Sequence, residues 1–136
     1  MPAGYSNTPL AKKLGIKEGF TIALIHQPEH YFQLFSDLPN DIRIQKTLLA
    51  DSLDFIHLFC RSQNELFEHA QTCKRALKKT GALWISWPKG SSKISTDLKR
   101  EPIREHLLRV GLVDTKVAAV DENWSGLKFV YRLKDR

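Results

Sequence analysis

A chain of 136 residues with 42% hydrophobic and 26% charged side chains has the balance of an ordinary globular domain, which excludes a disordered or collagen-like polymer. It contains no apolar run of about eighteen residues, which excludes a membrane-spanning helix of the usual kind. Net charge is +6 and unevenly placed: residues 1–70 carry 6 Lys and Arg against 8 Asp and Glu, and residues 71–136 carry 15 against 7.

One domain of this length buries a core without staples. The two cysteines, Cys60 and Cys73, fall in apolar patterns and have no CxxC partner, so they read as small hydrophobes in a reducing compartment. The N-terminal stretch MPAGYSNTPLAKKLG lacks an apolar core of signal-peptide length, and the expected location is the cytoplasm.

Residues 1–9 are polar and turn-rich. Residues 9–14 (PLAKKL) predict a short helix, with Thr8 as N-cap, Pro9 as its first residue and Gly15 as its stop. Residues 20–26 (FTIALIH) form a nearly continuous apolar run, the pattern of a strand covered on both faces. Residues 29–38 predict a helix with Tyr31, Phe32, Leu34, Phe35 and Leu38 on its apolar side. Residues 42–45 alternate and predict a half-exposed edge strand, and residues 52–60 a third, buried strand.

The clearest helix spans 62–79. Ser62 and Glu65 have capping-box spacing, Leu66, Ala70, Cys73 and Leu77 recur at helical intervals, and Gly81 is the expected stop. Residues 82–87 (ALWISW) are the fourth strand, which empties through Pro88 into the basic loop 89–93 (KGSSK). The next helix lies within 91–111, capped by Ser95 or Thr96, and Pro102 argues for a late start or a kink. Strand five covers 115–120, the polar turn 121–126 follows, and strand six covers 127–133.

Strands alternating with helices predict a single three-layer Rossmann-like α/β domain over 16–136, preceded by a polar segment and short helix over 1–15. The closing strand pair adds an antiparallel C-terminal strand to a mostly parallel sheet of about six strands. That ending, together with the helix-to-strand passage 75–86, resembles the C-terminal half of class I methyltransferase sheets. The resemblance implies the spatial order 2-1-3-4-6-5.

In such a sheet the loops after strands one, three, four and five share one edge. That edge collects His26, Gln27, Arg61, Trp87, Lys89, Lys93, Asp121, Asn123, Trp124 and Ser125 as candidate ligand-binding residues. Two tryptophans, a histidine and several cations lining one crevice suit an anionic ligand with a flat apolar part, such as a nucleotide or a base. The plainer alternative packs Trp87 on Trp124 as a lid over the core and leaves Lys89 and Lys93 as solvated loop charges. His57 falls inside a buried strand and reads as a satisfied core histidine. His26 ends a strand at the crevice and suits acid–base work if Glu29 or Asp121 supplies a carboxylate.

The cofactor motifs are missing. The turn after strand one, His26-Gln27-Pro28-Glu29-His30, has no glycine for close approach of a cofactor, and the second strand ends at Gln45 and Lys46 rather than at an acid that holds a ribose. There is no P-loop, HExxH, GxSxG or zinc-ligand spacing, so no cofactor and no metal site is expected.

Three blocks carry a further resemblance: Ala3 to Ser6 with Thr8 to Ile16; Leu83 to Lys89 with Thr96 to Leu98; and Gly111 to Asp114 with Lys116, Val117 and Asp121 to Phe129. They resemble a bacterial family, domain of unknown function 3052, over nearly the whole chain. This implies a small cytoplasmic bacterial protein and brings no catalytic residue with it. The leading expectation is a non-catalytic module binding an anionic ligand, a nucleic acid or a protein partner at the Trp87/Lys89/Trp124 edge. The alternative is a methyltransferase-like enzyme using S-adenosylmethionine in a non-standard site. A third expectation is an assembly role, in which the edge strand within 42–49 pairs between copies.

Overall fold

An apolar run with no polar side must lie inside a sheet, and β3 (Leu53–Phe59) and β4 (Leu77–Pro88) do so as adjacent parallel strands at its centre. The computed structural model describes residues 8–136. Around this centre β1 (Thr21–Ile25) and β2 (Arg43–Ile44) continue the sheet in parallel on one side. On the other side β6 (Trp124–Tyr131) runs antiparallel to β4, and β5 (Leu112–Ala119) pairs antiparallel to β6 at the edge. The order β2-β1-β3-β4-β6-β5 is the one expected. No helix among the described residues is long and apolar enough to cross a membrane.

The two sheet faces are covered very differently. On one face, α2 (Gln63–Ala76) and α3 (Arg100–Val110) bury Leu66, Ala70, Cys73, Ile103 and Leu107 against Ile56, Leu58, Leu83, Ile85 and Leu127. On the other, the cover is the five-residue α1 (Leu10–Leu14) and a 3₁₀ turn at Tyr31–Leu34. This thinner layer is filled with aromatics: Tyr31, Phe55, Phe59, Trp84 and Trp124 pack with Leu10, Ala11 and Leu14. The Trp84 indole N–H donates to the Leu14 carbonyl at 2.8 Å in a buried position, which ties α1 to the central strand.

Several boundaries differ from the sequence pattern, each for a tertiary reason. The predicted helix 29–38 shrinks to Tyr31–Leu34, because Phe35 turns extended and the Asp37 carboxylate is used elsewhere. It accepts from the Ala11 and Lys12 N–H groups at 3.0 and 3.1 Å, so Asp37 supplies the side-chain cap expected of Thr8, and Pro9 is the N-cap residue. Helix α2 ends at Ala76 instead of Lys79 because Leu77 pairs with Leu53 and enters the core. Gly81 is therefore a strand residue. A Cβ there would lie 2.9 Å from the Asp54 carbonyl, closer than β3 allows. Pro102 lies in the first turn of α3, where its missing N–H costs nothing. Strand β6 starts three residues earlier than predicted, because the Asp121 carboxylate ends the turn by accepting from the Asn123 and Trp124 N–H groups at 2.8 and 2.9 Å, and β5 starts three residues earlier because Leu112 pairs with Tyr131 and is buried.

Gly126 lies under the Trp84 ring. A Cβ there would meet Trp84 Cε3 at 3.0 Å and the Ala118 carbonyl at 3.2 Å, and both neighbours are held in the sheet. Gly126→Ala is expected to cost about 1–3 kcal/mol by overpacking. Ser125→Ala, one residue away and half-buried, should cost under about 0.5 kcal/mol. Chemical denaturation of the two variants checks this, and equal stabilities would show that the Trp84 ring can move.

Candidate functional site

From β1 the chain moves outward to β2, and from β3 it moves the other way to β4. The two connections part above the C-terminal ends of β1 and β3, which is where open α/β sheets form a crevice. His26 leaves β1 there, and Arg61 and Ser62 lead from β3 into α2.

His26 has φ 57°, a left-handed conformation that non-glycine residues rarely adopt. Its Nδ1 lies 3.2 Å from Glu65 Oε2. The other carboxylate oxygen, Oε1, accepts from the Arg61 N–H at 2.7 Å, and the Glu65 N–H donates to the Ser62 hydroxyl at 3.2 Å. The first turn of α2 thus holds the imidazole. His69, one turn further along α2, sets its ring perpendicular to that of His26 at 5.0 Å. A second imidazole–carboxylate pair stands across the edge, with His30 Nε2 3.1 Å from Asp121 Oδ2.

The ten sequence candidates separate. Arg61 lies 6.0 Å over the Trp124 ring, and the Lys89 N–H donates to the Asn123 carbonyl at 2.8 Å. His26, Arg61, Trp124, Asp121, Asn123 and Lys89 therefore form a continuous arc. Gln27 and Lys93 are exposed and join none of these contacts, and Ser125 is half-buried in β6. Trp87 and Trp124 do not form the expected joint crevice or lid. Pro88 is the register partner of Trp124, and Trp87 that of Ser125, so the two rings leave the sheet on opposite faces. Trp87 packs with the α2/α3 core and Trp124 with the aromatic core, and both are buried.

The partners expected of His26 also change. Glu65 takes the place of Glu29 or Asp121, and Asp121 serves His30. Glu65, His69 and His30 were absent from the sequence candidates. The available signal was the capping-box spacing of Ser62 and Glu65, which puts Glu65 on the first turn of a helix beginning at this edge, with His69 four residues on.

Beneath the arc lies a polar chain in the aromatic core. The Tyr31 hydroxyl is 2.9 Å from His57 Nδ1, and His57 Nε2 is 2.7 Å from the Ser86 hydroxyl. A neutral imidazole satisfies both, with one nitrogen donating and the other accepting. His57 stacks on Phe59 at 4.2 Å and is fully buried, and burial lowers its pKa to about 3. The Tyr31 hydroxyl is pushed up by burial. The same cause raises the thiols of Cys60 and Cys73, both free and buried, the latter to about 12. Among the described residues no three His, Cys, Asp or Glu side chains gather as a metal site. The cavity lined by Gln71, Lys74, Arg75, Lys79 and Tyr131 lies at the other end of the sheet, where α2 meets β4.

No protein-family model matches the chain, and no curated protein sequence matches it. Solved structures do. A methyltransferase dependent on S-adenosylmethionine from Aquifex aeolicus superposes with a TM-score of 0.57 at 16% identity, over 88% of this chain and 86% of that one. A TehB-like methyltransferase of the same dependence from Corynebacterium glutamicum gives 0.56 at 14% identity, over 96% and 91%. Aeropyrum pernix fibrillarin, in complex with S-adenosyl-L-methionine, gives 0.59 at 12% identity, over 89% and 73%. The likeness is one of fold.

The residues of this chain do not fit that cofactor in the usual way. The turn after β1 carries a latched histidine where close approach needs a bare backbone. At the end of β2, the Gln45 amide is engaged with the Thr47 carbonyl at 2.8 Å and the Ser52 hydroxyl at 2.9 Å.

The depressed pKa of His57 makes a pH prediction. Unfolded, the imidazole titrates near its ordinary value of 6.5, and folded only near 3, so below pH 6.5 the unfolded chain binds the extra proton. Stability from this group is complete above pH 6.5 and is lost as pH falls toward 3, by up to about 1.4 kcal/mol per pH unit. His57→Gln should flatten the unfolding free energy between pH 6 and 4 by that slope. An unchanged slope in denaturant titrations would show that the imidazole protonates inside the fold.

Proposed function

We propose that the chain is a binding module on a methyltransferase-like scaffold. It takes a compact anionic ligand, of the nucleotide type, at the C-terminal edge of the sheet, and it transfers no methyl group. The observation that carries this reading is His26. Its imidazole stands at the switch point on a left-handed backbone and is held by Glu65 from α2. That arrangement supports recognition by side chains in place of a glycine cradle. The donors around it suit phosphate: the exposed Arg61 over Trp124, the exposed His30, and the half-buried Lys89.

A second reading, an enzyme that uses S-adenosylmethionine in a non-standard site, is favoured by the fold of the structural neighbours.

Thermal unfolding with separate additions of S-adenosylmethionine, adenine nucleotides and inorganic phosphate at 1 mM, about a hundred times a 10 µM dissociation constant, distinguishes the two. Such a ligand adds about 2.7 kcal/mol. The binding module predicts stabilisation by nucleotide and none by S-adenosylmethionine. Arg61→Gln should abolish the nucleotide shift and leave the unliganded melting temperature unchanged. Stabilisation by S-adenosylmethionine alone would sink the module reading in favour of the enzyme.

A further inference from the structure

On the thinly covered face, lysines from four parts of the chain meet. Lys116 of β5 and Lys128 of β6 are direct cross-strand partners. Lys128 projects from the same face as Trp84, its register partner in β4, toward α1, and a Cβ on Gly15 would touch its ammonium at 3.7 Å. The Lys116 ammonium donates to the Lys13 carbonyl at 2.9 Å, and the Lys13 ammonium donates to the Ala119 carbonyl at 3.2 Å. Like charges directly opposite on a strand pair are destabilising, and here a third ammonium is added from α1.

No ion pair among the described residues compensates them. The ion pairs among the described residues are His26–Glu65, His30–Asp121, Lys78–Asp54, Arg100–Glu101, Arg104–Asp114 and Arg109–Glu105. None reaches Lys13, Lys17, Lys89, Lys116 or Lys128. Residues 1–7, MPAGYSN, contain no carboxylate side chain to add. The field extends across the cluster. Partial burial first, then Lys116 and Lys89, lowers the pKa of Lys13, and partial burial first, then Lys116 and Lys17, lowers that of Lys128. Carbonyl contacts account for Lys13 and Lys116, which pin α1 to β5. They leave Lys17, Lys89 and Lys128 unexplained.

We infer that this lysine face binds the phosphate backbone of a nucleic-acid duplex without reading its sequence. Lysines act as point charges suited to phosphates, whereas bidentate base recognition calls for arginine. Among the described residues the aromatic rings under the face, Tyr31, Trp84 and Trp124, are buried and offer no platform on which unpaired bases would stack. An anionic bilayer is disfavoured for a similar reason. The exposed Val117 of β5 alternates with Lys116 and lies on the opposite face of the sheet, so it is not placed to insert beside the charges. Lys89 is shared with the arc at the C-terminal edge, whereas Lys13, Lys17, Lys116 and Lys128 take no part in that arc.

Fluorescence anisotropy with a labelled 20-base-pair duplex DNA at 50 and 200 mM salt tests it. Binding should weaken by roughly two orders of magnitude over that range, as about four neutralised phosphates imply. The variant K13Q/K116Q/K128Q should flatten the slope of log affinity against log salt by about 3. The charge-matched R43Q/K46Q/K134Q should leave it unchanged. Should the first variant be unstable, K17Q, whose exposed ammonium holds nothing in the fold, should flatten the slope by about 1. Absence of duplex binding at 50 mM salt, equal losses in the two triple variants, or binding to phosphatidylserine vesicles but not to duplex would each overturn the inference.

Discussion

A single buried hydrogen bond, from the Trp84 indole to the Leu14 carbonyl, sets the character of one whole side of this molecule. A helix of five residues cannot hold itself together in water, so α1 exists because tertiary contacts hold it. Asp37 caps its start, Trp84 takes a carbonyl at its end, and Leu10, Ala11 and Leu14 face the aromatic core. The large ring that does this needs room, and Gly126 on the neighbouring strand supplies it. Where α1 rests, its own lysine meets those of β5 and β6, so the charge on that face follows from the same contact.

Polar groups inside the aromatic layer are tolerated because each is answered. His57 lies between Tyr31 and Ser86 and stays neutral, and no buried side-chain polar atom among the described residues lacks a partner. A neutral, fully bonded imidazole carries little of the desolvation cost that a charged one would bring. This chain ties the 3₁₀ turn to β3 and β4, and the same turn sets His30 at the sheet edge. Packing below and chemistry above are therefore linked through Tyr31 and its neighbours.

The C-terminal edge shows how a scaffold can keep its crevice and change its contents. The switch point is a product of strand order, and the fold that carries it is similar to that of methyltransferases of known structure. What stands in the switch point is a product of local residues. Two imidazole–carboxylate pairs and an arginine over a tryptophan occupy the arc, each positioned from a different element. Fold and site thus vary independently.

The architecture was legible in the chain because burial on both faces leaves continuous apolar runs, and β1, β3 and β4 carry such runs. The reading of His57 as a satisfied core residue came from the same logic, since its neighbours Phe55 and Phe59 are apolar. The site was less legible. Its edge followed from topology, but the pairing of His26 with Glu65 spans 39 positions and depends on how α2 is set against β1. Nor could the two tryptophans be placed by sequence. Trp87 marked the end of a strand and Trp124 fell in a turn, yet their faces depend on the β4–β6 register, and a shift of one residue moves a side chain to the other side of the sheet. Periodicity therefore located the strands and the two long helices, because burial acts on each segment separately, while the spatial order of the strands came from the resemblance of the chain's ending to methyltransferase sheets. Register, helix ends and the convergence of charged groups were decided only by tertiary structure, because each depends on two distant segments meeting at one fixed offset.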